Sequence, residues 1–152
     1  MAEQILERYY KALQQKDYLA MQGLYHEEAR FSDPVFTQLN SREVQAMWEM
    51  LLKRAKQFTL TYQILEQQEN EGKGICAASY LFSKTGRQVQ NNIQSDFTFK
   101  DGLIYRQADQ FDLWRWSRQA FGLPGWLFGW TPAMQKKIRS QAMAQLHQFL
   151  QK

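Results

Sequence analysis

A change of hydrophobic period near residue 58 constrains the fold of this 152-residue chain more than any other sequence feature. Before it, apolar residues recur every three or four positions, as in an amphipathic helix. After it, apolar and polar residues alternate, as in a half-buried strand. The pattern predicts helices at about 2–15, 17–25 and 41–56, a short extended piece at 30–36, and strands at 58–66, 74–82, 87–99 and 103–113.

The connections between the predicted strands have the composition of tight hairpins. They are Glu71-Gly72, Lys84-Thr85-Gly86 and Asp101-Gly102, and glycine-containing turns of this kind join antiparallel neighbours. Helices followed by a run of hairpins give an α+β fold, with the helices packed on one face of a curved antiparallel sheet.

Composition narrows the class of protein. Hydrophobic residues make up 44% of the chain and aromatic residues 14%, which is too apolar for a disordered protein. Cys76 is the only cysteine, so an intrachain disulfide or a cysteine metal cluster is excluded. No run reaches the roughly 18 apolar residues that span a bilayer, and the first residues lack the apolar core of a signal peptide. We therefore expect a cytoplasmic protein.

Residues 114–152 form a distinct C-terminal extension behind a body of residues 1–113. The extension holds four of the five tryptophans and six basic residues, and no acidic residue follows Asp112. Thr131-Pro132 predicts the start of a final helix with an ordinary apolar stripe. This stripe favours an extension that closes the sheet or covers a partner subunit in a homodimer, over attachment to a membrane surface. Six cations over some forty residues are too sparse to predict nucleic-acid binding.

Two stretches resemble enzymes that share one fold. Residues 5–36, ILERYYKALQQKDYLAMQGLYHEEARFSDPVF, resemble the opening of the steroid Δ-isomerases without a gap. Residues 85–113, TGRQVQNNIQSDFTFKDGLIYRQADQFDL, resemble the corresponding part of the limonene epoxide hydrolases. The resemblance implies the ketosteroid isomerase-like (SnoaL-like, nuclear transport factor 2-like) fold, a cone of sheet wrapped by three N-terminal helices around a deep pocket.

The isomerase resemblance implies roles for three residues and no organic cofactor. Asp33, in an Asp-Pro-Val sequence, falls on the base that moves a proton next to a carbonyl group. Tyr9 falls on the tyrosine that donates a hydrogen bond to the developing enolate oxygen. Ser95 falls where those enzymes have a second donor, a neutral aspartic acid.

The hydrolase resemblance does not extend to epoxide hydrolysis. Asp109 matches one catalytic aspartate, but Cys76 and Ala78 stand where an arginine and a second aspartate are expected. Neither side chain activates water.

The residues themselves leave two interpretations open at each catalytic candidate. Asp33 lies among apolar neighbours that would raise its pKa and suit it to base catalysis, or it is a structural turn aspartate before proline. Tyr9 is a hydrogen-bond donor or a core aromatic residue. Asp109, in phase with Phe111, faces inward as a catalytic group or as a structural acceptor.

A further set of residues is expected to line a ligand pocket, with scattered polar groups on an apolar wall. Cross-strand hydrogen bonding is the alternative for the polar members. The expected ligand-binding residues are Asn91, Ser95, Phe97, Phe111 and Trp48.

The sequence as a whole predicts a protein that binds an apolar small molecule. It is either an enzyme of isomerase, lyase or SnoaL-like cyclase type with Asp33 as base, or a non-catalytic module that binds a ligand or a protein. No metal-binding pattern is present.

Overall fold

The computed structural model describes residues 4–151, which form a six-stranded sheet and six helices. In chain order these elements are α1 (Ile5–Gln14), α2 (Tyr18–Gln22), β1 (Tyr25–Ser32), β2 (Leu39–Asn40), α3 (Ser41–Arg54), β3 (Lys56–Gln67), β4 (Glu71–Leu81), β5 (Gln88–Lys100), β6 (Leu103–Gln110), α4 (Leu113–Phe121), α5 (Leu123–Phe128) and α6 (Pro132–Leu150).

The sheet is curved and open, with the strand order β2-β1-β6-β5-β4-β3. All neighbours are antiparallel except β1 and β6, which run parallel. The predicted α+β class and the three N-terminal helices are therefore confirmed. The prediction of a purely antiparallel sheet is wrong at this one pair, because β1 enters the sheet from the helical half of the chain and not through a hairpin.

Aromatic side chains of α1 fill the space between the helices and the sheet. Tyr9 and Tyr10 are fully buried. Tyr10 stacks on Tyr62 of β3 with ring centroids 5.0 Å apart, and Tyr9 meets Phe97 of β5 edge-on at 5.3 Å. These contacts, with their large buried apolar area, hold the helical layer to the sheet.

Capping side chains set several element boundaries. The predicted cap at Asp17 is confirmed, since its carboxylate accepts a hydrogen bond from the Ala20 amide. Thr131 caps α6 in the same way. The predicted strand 103–113 is too long: Asp112 accepts a hydrogen bond from the amide of Arg115 and starts α4 there. The predicted second helix is also too long, because it ends at Gln22.

The position of one hairpin turn is wrong in the sequence prediction. The β3–β4 connection lies at 68–70, where the Gln68 amide donates to the Glu71 carbonyl over 2.8 Å. Gly72 instead lies within β4, where an added Cβ would come within 2.7 Å of the Leu6 side chain. This glycine lets α1 approach the sheet closely. The turns at Lys84-Thr85-Gly86 and Asp101-Gly102 are confirmed.

The C-terminal extension packs against the body of the same chain. Gln119 of α4 accepts from the Gln90 amide over 2.7 Å and donates to the Gln90 carbonyl over 3.1 Å, which fixes α4 to β5. Helix α6 lies against α3. Within residues 4–151, no helix is long and apolar enough to cross a membrane.

Candidate functional site

A cavity of about 240 Å³ lies between α3, the inner face of the sheet and the C-terminal helices. Its walls are mainly apolar, and side chains of α4 and α6 close one side. The side chains that line it include Asp33, Trp48, Tyr80, Asn91, Asp109, Phe111, Trp116, Phe121 and Ile138.

Asp33 lies at the edge of this cavity in the turn that follows β1. Its Oδ1 accepts hydrogen bonds from the amides of Val35 and Phe36 over 2.7 and 2.6 Å. Within the described chain, Oδ2 has no hydrogen-bond partner. Desolvation by the cavity wall raises the pKa of Asp33 to about 6, although the two amides oppose the shift. Asp33 therefore stabilises the turn through Oδ1 and leaves Oδ2 available to a ligand. The interpretation of Asp33 as a turn residue and its interpretation as a base are compatible.

Asp109 projects into the cavity from β6 and is buried. It accepts a hydrogen bond from Gln107 over 3.0 Å, and Ser95 lies directly opposite on β5. Desolvation raises the pKa of Asp109 to about 7, although these two polar neighbours oppose the shift, and the charge of Asp33 adds to the rise. Both carboxyl groups line the same cavity, and a negative charge on Asp33 disfavours a second negative charge on Asp109.

Gln107 holds Asp109 through a buried polar network. Its Oε1 accepts from the Tyr25 hydroxyl over 2.6 Å, and its Nε2 donates to Asp109 and to the Tyr9 hydroxyl, each over 3.0 Å. The Trp48 indole in turn donates to Tyr25 over 2.9 Å. Since one amide binds three partners, its orientation is fixed, and the position of Asp109 with it.

Tyr80 supplies a hydroxyl that the sequence analysis did not single out. The Trp116 indole donates to it over 2.9 Å. The Tyr80 hydrogen meets no acceptor among the described residues, and so it is free to donate into the cavity. Desolvation raises the pKa of Tyr80, with a further contribution from the charge of Asp33, so the phenol stays protonated.

The cavity brings together five of the eight residues expected at the site: Asp33, Asp109, Asn91, Phe111 and Trp48.

Asn91 is buried, and its side-chain amide makes no hydrogen bond to another described residue. It therefore does not serve the cross-strand bonding that was its alternative. The other three expected residues lie outside the cavity wall. Ser95 lies opposite Asp109 on β5, Tyr9 reaches Asp109 through Gln107, and Phe97 packs in the core.

Polar residues at the rim of the cavity hold α6 in place. Arg54 donates to Gln145 over 3.2 Å, and Lys84 donates to Gln141 over 3.1 Å. Arg139 donates to the carbonyl of Pro34 over 2.8 Å. The last bond connects α6 directly to the turn that carries Asp33.

The residues missed by the sequence analysis depend on contacts between distant segments. Tyr80 shares an inward strand phase with Cys76 and Ala78, which is a signal that could have found it. Trp116 lies 36 positions from Tyr80, and no local pattern pairs the two. Among residues 4–151, no group of three His, Cys, Asp or Glu side chains is placed to hold a metal ion.

Comparison with known proteins identifies a family. A family model, the SnoaL-like domain, matches residues 6–107. No curated protein matches the sequence.

Solved structures share the fold at low sequence identity. One is a hypothetical protein from Catenulispora acidiphila with a ketosteroid isomerase-like fold, solved in complex with trimethylamine. It is 12% identical to this chain with a TM-score of 0.67, and the match covers 87% of this chain and 100% of that protein. IdmH from Streptomyces antibioticus, a candidate polyketide cyclase, is 18% identical with a TM-score of 0.63, covering 76% of this chain and 94% of its own.

A third structure is a limonene epoxide hydrolase-like enzyme from M. tuberculosis. It is 16% identical to this chain with a TM-score of 0.58, and the match covers 86% of this chain and 92% of that enzyme. These likenesses support the same fold as the family match, which covers most of the chain. The chain therefore belongs to the SnoaL-like domain family and shares the ketosteroid isomerase-like fold.

Proposed function

We propose that this protein is an isomerase or cyclase that moves a proton on a compact, apolar carbonyl compound, with Asp33 as the base. The observation that carries the proposal is the pair of carboxyl groups, Asp33 and Asp109, that face one apolar cavity with differently raised pKa values. Environments that separate the pKa values of two neighbouring acids are typical of acid–base sites.

At neutral pH the two acids have different tasks. Asp33, with a pKa of about 6, is mostly ionised, and Oδ2 is free to take a proton from the carbon next to a carbonyl group. Asp109, with a pKa of about 7, is about half protonated and can donate a hydrogen bond. A base whose pKa lies near the working pH combines ionisation with basicity.

The reaction is balanced within the substrate. Asp33 removes the proton, and the C–H electron pair passes into an enolate whose oxygen takes hydrogen bonds from Tyr80 and protonated Asp109. Hydrogen bonds that strengthen as this charge develops lower the barrier. Asp33 then returns the proton to another carbon for isomerisation. In a cyclase, the enolate carbon attacks a second carbonyl group, whose oxygen takes the proton.

The cavity favours a small substrate. Its volume of about 240 Å³ is below the roughly 300–1,000 Å³ of sites that hold drug-sized ligands. Asn91 lies on the same wall and would orient a polar end of the ligand. No organic cofactor takes part in this scheme.

The test measures exchange of α-protons in D₂O by NMR, with a panel of compact apolar ketones and β,γ-unsaturated ketones. We expect the wild-type protein to accelerate exchange or isomerisation. Asp33→Asn should lower the rate about 10²–10⁴-fold, the usual contribution of a positioned base. Ligand affinity should change little. It can be followed by quenching of tryptophan fluorescence, because Trp48 and Trp116 stand in the cavity wall.

Asp101→Asn is the matched control, since Asp101 is exposed in a turn, and it should retain full activity. A non-catalytic module for ligands or proteins is the rival function. It would be supported by probes that bind without any exchange, together with an Asp33 that titrates near the ordinary pKa of about 3.9.

A further inference from the structure

Helix α5 and the residues after it expose a band of large apolar side chains. We define the α5 patch as Leu123, Trp126, Leu127, Phe128 and Trp130, whose exposed fractions lie between 54% and 69%. Soluble surfaces seldom concentrate so many large apolar groups in eight consecutive positions, and such patches mark interaction sites.

The patch is held outward by close packing beneath it. Gly125, on the inner side of α5, lies so close to α4 that an added Cβ would come within 2.0 Å of the Ser117 carbonyl oxygen. On the flank, Trp126 meets Trp114 edge-on at 5.8 Å, and the Arg118 guanidinium lies 4.3 Å from the Trp114 ring centroid. Since α5 is fixed on α4 in this way, its apolar side chains cannot turn inward.

The charge of the segment carrying the patch has one sign. No Asp or Glu occurs after residue 112, whereas Arg115, Lys136 and Lys137 are exposed on the elements before and after α5. A second copy of the chain, related by a two-fold axis, would bring these cations towards their own counterparts. An anionic lipid surface offers both the opposite charge and an apolar layer below it.

We propose that the α5 patch docks this protein onto the surface of an anionic lipid bilayer. Tryptophan and phenylalanine insert at the boundary between headgroups and acyl chains, and lysine and arginine bind the lipid headgroups. The proposal is independent of the reaction in the cavity, because no residue of the α5 patch lines the cavity.

The test is flotation of the full chain with two kinds of vesicle, one of phosphatidylcholine alone and one of equal parts phosphatidylcholine and phosphatidylglycerol. We expect binding to the anionic vesicles that weakens with added salt, and little binding to the neutral ones. Leu127→Ser/Phe128→Ser should lower the partition at least about tenfold, given the apolar area that no longer inserts.

Two matched controls separate the patch from general effects. Leu19→Ser/Leu65→Ser removes equally exposed apolar groups elsewhere and should bind like the wild type. Lys136→Glu/Lys137→Glu should weaken binding at least about tenfold, at about 1 kcal/mol for each cation. Lys56→Glu/Lys73→Glu changes the net charge equally and should have a much smaller effect. Thermal unfolding of each variant shows that it is folded.

Two outcomes would overturn the proposal. One is equal or no binding to both kinds of vesicle by the folded wild-type protein. The other is sedimentation showing a concentration-dependent dimer that Leu127→Ser/Phe128→Ser dissociates, with no vesicle binding, which would assign the patch to a second copy of the chain.

Discussion

Asp33 and Asp109 show how one kind of side chain acquires two protonation behaviours from two surroundings. Asp33 is partly exposed and has two backbone amides on Oδ1, whereas Asp109 is buried and bonded to side chains. Burial outweighs the hydrogen bonds in both, and more so for Asp109. The position of Asp109 in turn depends on Gln107, which donates a hydrogen bond to it.

Replacing Gln107 tests this dependence. Gln107→Met removes the acceptor of the Tyr25 hydroxyl hydrogen and the donor to the Tyr9 hydroxyl, and each unsatisfied group costs about 1–3 kcal/mol. We expect the free energy of unfolding in urea to fall by about 2–4 kcal/mol. Gln110→Met makes the same change at an exposed position of β6 and should have almost no effect. Equal losses in the two variants would argue against the network.

Among the elements, α6 has a double role because it closes the cavity and also binds the turn that carries Asp33. Ile138 contributes to the cavity wall, and the guanidinium of the next residue, Arg139, reaches the Pro34 carbonyl. The position of Asp33 therefore depends on a helix more than a hundred residues away in sequence.

Removing that bond should loosen the turn. In Arg139→Met, we expect the Val35 and Phe36 amides, which donate to Asp33, to exchange their hydrogens about fivefold faster, because a net hydrogen bond contributes about 1 kcal/mol. Hydrogen exchange followed by NMR gives the rates. Arg115→Met, on the exposed side of α4, is the control, and unchanged rates in Arg139→Met would show that the turn is rigid by itself.

At the scale of the whole molecule, the buried acids make stability depend on pH. Asp109 has a folded-state pKa of about 7, well above the ordinary value of 3.8. The folded state therefore binds more protons than the unfolded state between about pH 4 and pH 7. The stability that Asp109 contributes is present in full below pH 4 and is lost as the pH rises through 7.

Asp109→Asn should reduce this dependence. We expect the drop in the free energy of unfolding between pH 5 and pH 8 to be smaller in Asp109→Asn than in the wild type, by a few kcal/mol at most, since one pKa unit corresponds to about 1.4 kcal/mol. Chemical unfolding at the two pH values measures the difference. Glu69→Gln, at an exposed residue of the β3–β4 connection, should keep the wild-type dependence, and an identical slope in Asp109→Asn would contradict the raised pKa.

The sequence predicts the three N-terminal helices, the four long strands and the final helix, because each of these carries its own period. It does not predict the two-residue β2 or the short helices α4 and α5. It does not predict the parallel pairing of β1 with β6, since the two strands are far apart in the chain and no turn joins them. Strand phase is enough to place Asp109 inside. For Tyr9, the helical stripe predicts burial and leaves open whether the hydroxyl meets a ligand or the core.

The cavity depends still more on long-range packing. The Tyr80 hydroxyl oxygen accepts a hydrogen bond from Trp116 of α4, which leaves its own hydrogen to donate into the cavity. The sequence offers no local sign of that contact. The helices of the extension have different roles: α4 and α6 close the cavity, whereas α5 faces outward. The composition of the extension does not predict this difference. The homodimer expected from the sequence stays a prediction, to be measured by sedimentation.

The fixed amide of Gln107 has a consequence for proton traffic. Both hydrogens of its Nε2 are already committed, to Tyr9 and to Asp109, and its Oε1 receives the hydrogen of Tyr25. Because an amide does not titrate, Gln107 delivers a hydrogen bond to Asp109 but does not relay a proton onwards. Asp109 faces the cavity, so a bound guest that fills it separates the carboxyl proton from the solvent in the cavity until the guest leaves.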